Sequence, residues 1–181
     1  VHDGGDRITL TPSSHVLQNS TVSHTNYYVW ANVPILFLGG VGQTVMKSEL
    51  AISTHQAIWV QGNDHVVSGN SIHDVLQQTT DSGSVYAGRD WTYRGNHIVH
   101  NRFHDIRSHV GEDTSAVYMD DCMSGFNVSN NFFSNCSRGL LLGGGRDVIF
   151  NDNTMAGLHS NPVHFDSRCA GKGRASIQTE R

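Results

Sequence analysis

The chain has 181 residues, with 12 Lys and Arg against 16 Asp and Glu, for a net charge of −4 and a pI near 6.3. That is enough for one domain with a core and short for two. Charged residues make up only 15% and Gly numbers 19, which excludes a disordered polyelectrolyte and a helix-rich chain built on Glu, Lys and Arg. No basic cluster offers a footprint for nucleic acid, and the longest apolar run, 33–41, holds a Pro and two Gly and is too short to span a bilayer.

In chain order, the first regular feature is a six-residue pattern: apolar, polar, an Asn-rich corner, apolar. It reads Leu17-Gln18-Asn19-Ser20-Thr21-Val22, then Val45 to Leu50, Val67 to Ile72, Ile98 to Phe103, Val128 to Phe133, and Ile149 to Thr154. The first apolar residues lie 28, 22, 31, 30 and 21 residues apart. Between copies sits a second strand, apolar on alternate positions: Leu36-Phe37-Leu38, Ile58-Trp59-Val60, Val85-Tyr86-Ala87, Val117-Tyr118-Met119 and Leu140-Leu141-Leu142. Gly or Asp follows almost every one and turns the chain.

Each repeat therefore supplies at least two short strands without helical periodicity. A coil of about 22 residues built this way predicts an all-β parallel β-helix of about six to seven coils. Stacking at roughly 4.8 Å turns the apolar positions into interior columns. Ser20, Ser48, Asn70, Asn101, Asn131 and Asp152 become a polar ladder at a bend, a place that suits Asn because its amide bonds to the next coil. Residues 1–168 are expected to form one solenoid domain starting near Ile8-Thr9-Leu10. Val163-His164-Phe165 is expected to add a strand, and 169–181 to form a polar tail. The chain starts at Val1 without a leader, and is expected to be a mature chain or a piece of a longer solenoid.

The layout resembles the right-handed parallel β-helix superfamily of pectate-lyase-like proteins. Asp81-Ser82-Gly83-Ser84-Val85-Tyr86-Ala87-Gly88-Arg89-Asp90-Trp91, Val117-Tyr118-Met119-Asp120-Asp121 and the Gly143-Gly144-Gly145-Arg146-Asp147 turn resemble a narrower group of β-helix glycoside hydrolases of fucosidase and xylanase type. The resemblance implies a secreted, carbohydrate-active protein whose partner is a polysaccharide. Such enzymes usually carry more coils and an N-terminal cap, so end-to-end self-association or missing flanking coils are expected here.

The two long coils carry the excess residues as loops, where a solenoid commonly builds its binding face. Aligning Val85 with Val117 sets Asp81 beside Asp113, Tyr86 beside Tyr118, Gly88 beside Asp120 and Arg89 beside Asp121. Trp59, Tyr86 and Tyr118 then form an outward wall for stacking sugars. Glycoside cleavage needs a protonated acid and a second carboxylate, about 5 Å apart for retention and ~6.5–9.5 Å for inversion. The resemblance implies Asp81 with Asp120 or Asp121 as catalytic carboxylates. Asp120 is preferred because it shares the outward parity of Tyr118. Arg89 is expected to bind substrate oxygens or hold Asp121 ionised, and Asp90 and Asp113 to line the substrate path.

Two other readings stand beside hydrolysis. A polysaccharide lyase would use a basic residue and Ca²⁺ held by Asp113, Asp120 and Asp121, yet Lys47 and Lys172 are the only lysines. A non-catalytic glycan-binding or structural module fits the short length. Otherwise no cofactor and no metal site are expected. His73-Asp74 and His104-Asp105 occupy matching places on adjacent coils. They are read as corner caps, with Asp accepting backbone N–H groups, in preference to a metal site. Gly143-Gly144-Gly145 reads as a turn, since no Lys-Ser/Thr follows. Cys122, Cys136 and Cys169 specify no pairing. Asn19, Asn127 and Asn135 head sequons that serve as glycosylation sites in a secreted chain.

Overall fold

The computed structural model describes residues 14–29 and 31–169. The expected start at Ile8 and the tail after Cys169 lie outside the described residues. The first coil holds β1 (Val16–Gln18), β2 (Thr21–Thr25) and β3 (Leu36–Leu38); the second holds β4 (Thr44–Met46), β5 (Glu49–Ser53) and β6 (Ile58–Val60). The third holds β7 (Val66–Ser68), β8 (Ser71–His73) and β9 (Ser82–Ala87); the fourth β10 (Asn96–Val99), β11 (Arg102–His104) and β12 (Thr114–Met119). The fifth holds β13 (Phe126–Ser129), β14 (Phe132–Ser134) and β15 (Arg138–Gly143), and the sixth β16 (Ile149–Asn151), β17 (Thr154–Ala156) and β18 (Val163–Asp166).

Every third strand pairs in parallel, giving three six-stranded sheets: β1-β4-β7-β10-β13-β16, β2-β5-β8-β11-β14-β17 and β3-β6-β9-β12-β15-β18. This is an all-β parallel β-helix of six coils, as the repeat predicts, with three strands per coil. Val163-His164-Phe165 does add a strand, pairing with Leu140-Leu141-Leu142. Among the described residues no helix is long and apolar enough to cross a membrane.

The core is a set of stacked columns. Val45, Val67, Ile98 and Val128 fill the first sheet's inner face, and Leu50, Ile72, Phe103 and Phe133 the second's, each at most 1% exposed. Phe103 and Phe133 stack with centroids 5.0 Å apart. Each such buried side chain contributes about 1.5–3 kcal/mol.

The corners explain the Asn and Gly content. Between the first two sheets every coil turns through one left-handed residue: Asn19, Lys47, Gly69, His100, Asn130 and Asp152. The next residue supplies the ladder. The backbone N–H of Ser48, Asn70 and Asn101 each donates to the side-chain amide oxygen one coil on, at 2.9–3.0 Å. The amide of Asn101 donates in turn to Val67 O at 2.9 Å.

The last coil corrects the expected register. Val128 pairs with Phe150, 22 residues on, not with Ile149, and Ile149 is 55% exposed. The ladder accordingly continues through Asn153, whose Oδ1 accepts from Asn131 N–H at 2.9 Å. Asp152 takes the left-handed position instead, because an ionised carboxylate can only accept, whereas the amides and serine hydroxyls of the stack both donate and accept.

Candidate functional site on the third sheet

Alternation in β9 and β12 buries Val85, Ala87, Val117 and Met119 completely and turns the intervening residues outward. The outer column runs Phe37, Trp59, Tyr86, Tyr118, Leu141, His164. Its four rings meet at centroid separations of 5.9, 6.0 and 5.8 Å, forming a continuous aromatic ladder. Trp59 and Tyr86 keep partly exposed faces, whereas Tyr118 is 2% exposed, its ring covered by its neighbours.

The tyrosines tie two carboxylates diagonally across the coils. Tyr118 Oη donates to Asp81 Oδ1 at 2.7 Å, and Tyr86 Oη donates to Asp120 Oδ2 at 2.8 Å. Burial, reinforced by the adjacent carboxylates, pushes both phenols well above their ordinary pKa, so both hydroxyls act as donors. Asp120 also accepts from Asp121 N–H at 2.9 Å and from Arg168 Nη1 at 2.6 Å. Its carboxyl is held above the ordinary range by burial and by the charge of Asp121, against the lowering effect of Tyr86, Asp121 N–H and Arg168.

The structure sets Asp81 level with Asp113, Asp81 N–H donating to Asp113 O at 2.6 Å. Asp120 N–H donates to Ala87 O at 2.8 Å, and Arg89 Nε lies 3.8 Å from Asp121 Oδ2. Both ends of this last pair sit at left-handed corners where other coils use Gly40, Gly62 and Gly144. For Arg89 that conformation costs about 1–2 kcal/mol. Asp90 is spent locally, its Oδ1 accepting from Thr92 N–H at 3.0 Å and Thr92 Oγ1 at 2.5 Å.

Beside the ladder opens a cleft of about 470 Å³, lined among others by Asp81, Glu112, Asp113, Tyr118, His164 and Arg168. Asp120 stands behind Arg168, the residue that links it to the cleft. Arg168 also bonds Asp121 at 3.3 Å and Asp166 at 2.6 Å, and these carboxylates push its pKa above the ordinary guanidinium value. Arg138, 9% exposed, lines the same cleft and bonds Asp113 at 3.1 Å.

Sequence reasoning missed Arg168. It is delivered by a disulfide between Cys122 and Cys169, 47 residues apart, which fixes the end of the sixth coil onto the Asp120–Asp121 turn. Closing such a loop restricts the unfolded chain by about 4 kcal/mol in the chain-entropy account. The signal was present: one cysteine follows Asp121 and the other follows Arg168. Cys136 is free and buried, and burial pushes its thiol up to about 12.

Gly83 is dictated by sterics. A Cβ there would stand 2.4 Å from Tyr118 Cβ and 2.8 Å from Tyr118 N. Gly83→Ala is expected to displace Tyr118 and lose about 1–3 kcal/mol, read as a lower urea midpoint and a weakened Tyr118–Asp81 contact.

The sequons lie at Asn19 and Asn135, both exposed, and at half-buried Asn127. Among the described residues no group of three or more His, Cys, Asp or Glu is arranged to hold a metal ion. The His/Asp pairs differ from expectation: Asp74 and Asp105 sit at left-handed corners, but each accepts from its own histidine's Nδ1, at 2.8 and 2.7 Å. Compared with known proteins, the chain matches no family model, no curated protein and no solved structure at a significant level.

Proposed function

We propose that the protein is a secreted carbohydrate-active β-helix that holds a polysaccharide along the outer face of β9, β12 and β15 and hydrolyses a glycosidic bond there. The observation that carries this reading is the pair of tyrosine-anchored carboxylates, Asp81 at the cleft and Asp120 behind it, beside an aromatic ladder. Asp120, whose carboxyl burial favours in the protonated form, supplies the proton to the leaving oxygen. Asp81, at the cleft, supplies the second carboxylate, and Asp121 and Arg89 support the pair. Arg168, bonded at once to Asp120, Asp121 and Asp166, has to give up Asp120 before that proton can be delivered. Trp59 and Tyr86 carry the apolar faces of the sugar rings. The disulfide supports an oxidising compartment, with Asn19 and Asn135 exposed as glycan acceptors.

A lyase reading is weaker. Arg168, the cation best placed for a base, is made more basic and harder to deprotonate by its carboxylate partners. A non-catalytic glycan-binding module is favoured by one observation, the Arg168–Asp120 contact at 2.6 Å, which engages the proposed acid.

Titrating isotope-labelled protein with a panel of neutral and acidic oligosaccharides tests the location. Amide shifts are expected to cluster at Asp81, Glu112, Tyr118 and His164. Shifts confined to the other two sheets would overturn the assignment.

A further inference from the structure

The outer face of the second sheet carries a different constellation. Ile72 and Phe103 point inward with no exposure, so Ser71, His73, Arg102 and His104 point outward from β8 and β11. His73 and His104 stack with centroids 4.4 Å apart and planes 14° off parallel. Their surroundings are unequal. His73 is bonded at both nitrogens by carboxylates, Asp74 at 2.8 Å and Glu49 at 3.1 Å. Burial, the largest influence, opposes its charge, but the two carboxylates together raise its pKa.

His104 has a carboxylate on one side only. Its Nδ1 meets Asp105 Oδ2 at 2.7 Å, and its Nε2 meets Ser71 Oγ at 3.2 Å. Asp105 is itself fixed by Asn135 Nδ2, which donates to Oδ1 at 2.5 Å. With Nδ1–H donated to Asp105, the Nε2 lone pair faces the serine hydroxyl. Ser71 opens on a cleft of about 510 Å³ that also contains Lys47, Glu49 and Gly69, and register places Arg102 directly beside it.

We propose that Ser71, His104 and Asp105 form a nucleophile–base–orienter triad that cleaves esters of small acyl groups. The arrangement meets the geometric requirements of such a site: nucleophile within reach of base, base held by a third group, and a cleft for the reacting atom. Ser71 Oγ attacks the ester carbonyl while its proton passes to His104 Nε2. The tetrahedral oxyanion forms in the cleft of Lys47, whose ammonium and the neighbouring Arg102 offset its charge. Collapse breaks the bond to the alcohol, which leaves with the proton from His104. Water, deprotonated by His104, then attacks the acyl-Ser71 ester, releases the carboxylic acid and restores the serine hydroxyl. Asp105 is a positioning residue that acts through His104. This site is separate from the third sheet and stands whether or not glycosidic bonds are cleaved there.

The test uses p-nitrophenyl acetate and a fluorophosphonate on the intact chain. A burst of p-nitrophenolate is expected, with the acetyl or phosphonyl group recovered on the peptide containing Ser71. Ser71→Ala is expected to abolish both, and His104→Gln to slow acylation by about 10²-fold or more. Asp105→Asn is expected to lower kcat while KM stays unchanged, a split that a merely structural role would not produce. Label on other residues only, or ester hydrolysis at the parent rate in folded Ser71→Ala, overturns the proposal.

Discussion

Asp120→Asn and Asp81→Asn are each expected to lower glycan hydrolysis by at least about 10²-fold while leaving the thermal transition close to that of the parent chain. The physical basis differs between the two. In Asp120→Asn the amide oxygen still accepts from Asp121 N–H, the Nδ2 that replaces Oδ2 donates to Tyr86 Oη once that hydroxyl rotates, and Arg168 keeps Asp121 and Asp166, so packing survives while the proton donor is lost. In Asp81→Asn the bond from Tyr118 Oη persists and only the negative charge disappears. The pH dependence follows from burial of Asp120. Because its carboxyl titrates above the ordinary range, its acid form persists to higher pH than that of an exposed aspartate. The rate is lost as pH rises through that elevated pKa. Initial rates of reducing-end release across pH, with unfolding curves for each variant, check both statements. Full activity in both variants would remove these residues from the site.

The largest expected loss of stability comes from Asn101→Ala, at about 2–6 kcal/mol. Asn101 is 2% exposed and occupies the middle of the ladder. Its Oδ1 accepts from Asn70 N–H and Asn70 Nδ2, both at 3.0 Å. Its Nδ2 donates to Val67 O at 2.9 Å and Asn131 Oδ1 at 3.1 Å. Alanine would leave the backbone N–H of Asn70 and the carbonyl of Val67 buried without these partners, each costing about 1–3 kcal/mol. Against a typical total of about 5–15 kcal/mol, that loss puts the fold near its threshold. Equilibrium urea unfolding measures it, and a change under 1 kcal/mol, on the order of an exposed substitution, would contradict the ladder's structural role.

How much could be read in advance depended on the range of the interaction. The third sheet was legible in register from Leu36 to Leu142, because alternating apolar residues flanked by Gly or Asp leave one inward face. The ladder was legible through five coils and slipped at the sixth. There Asn151-Asp152-Asn153 offers several polar candidates, and Ile149 looks as apolar as Phe150. The distinction is a matter of hydrogen-bond chemistry, since the position needs donor and acceptor together. The strands of the second sheet, mostly three residues long, were only partly visible, being too short to show a period.

The alignment of Asp81 with Asp113 and Arg89 with Asp121 followed from one register choice at Val85 and Val117. Arg168 lay beyond any local pattern, since it reaches Asp120 across 48 residues by way of a disulfide. The Ser71–His104–Asp105 contact was hidden for a related reason. His104-Asp105 was read as a corner, while the partner serine stands one coil earlier and two residues out of line with the histidine.

The central claim is that this face hydrolyses glycosidic bonds, and a glycan-hydrolysis screen on the intact, folded chain tests it most directly. The screen scores released reducing ends and the absorbance of unsaturated products in the same samples. New reducing ends without unsaturated product, lost in Asp120→Asn, are the predicted result. Unsaturated product would contradict hydrolysis in favour of elimination. Silence in both channels across a broad panel would contradict catalysis at this face and leave a glycan-binding or structural module.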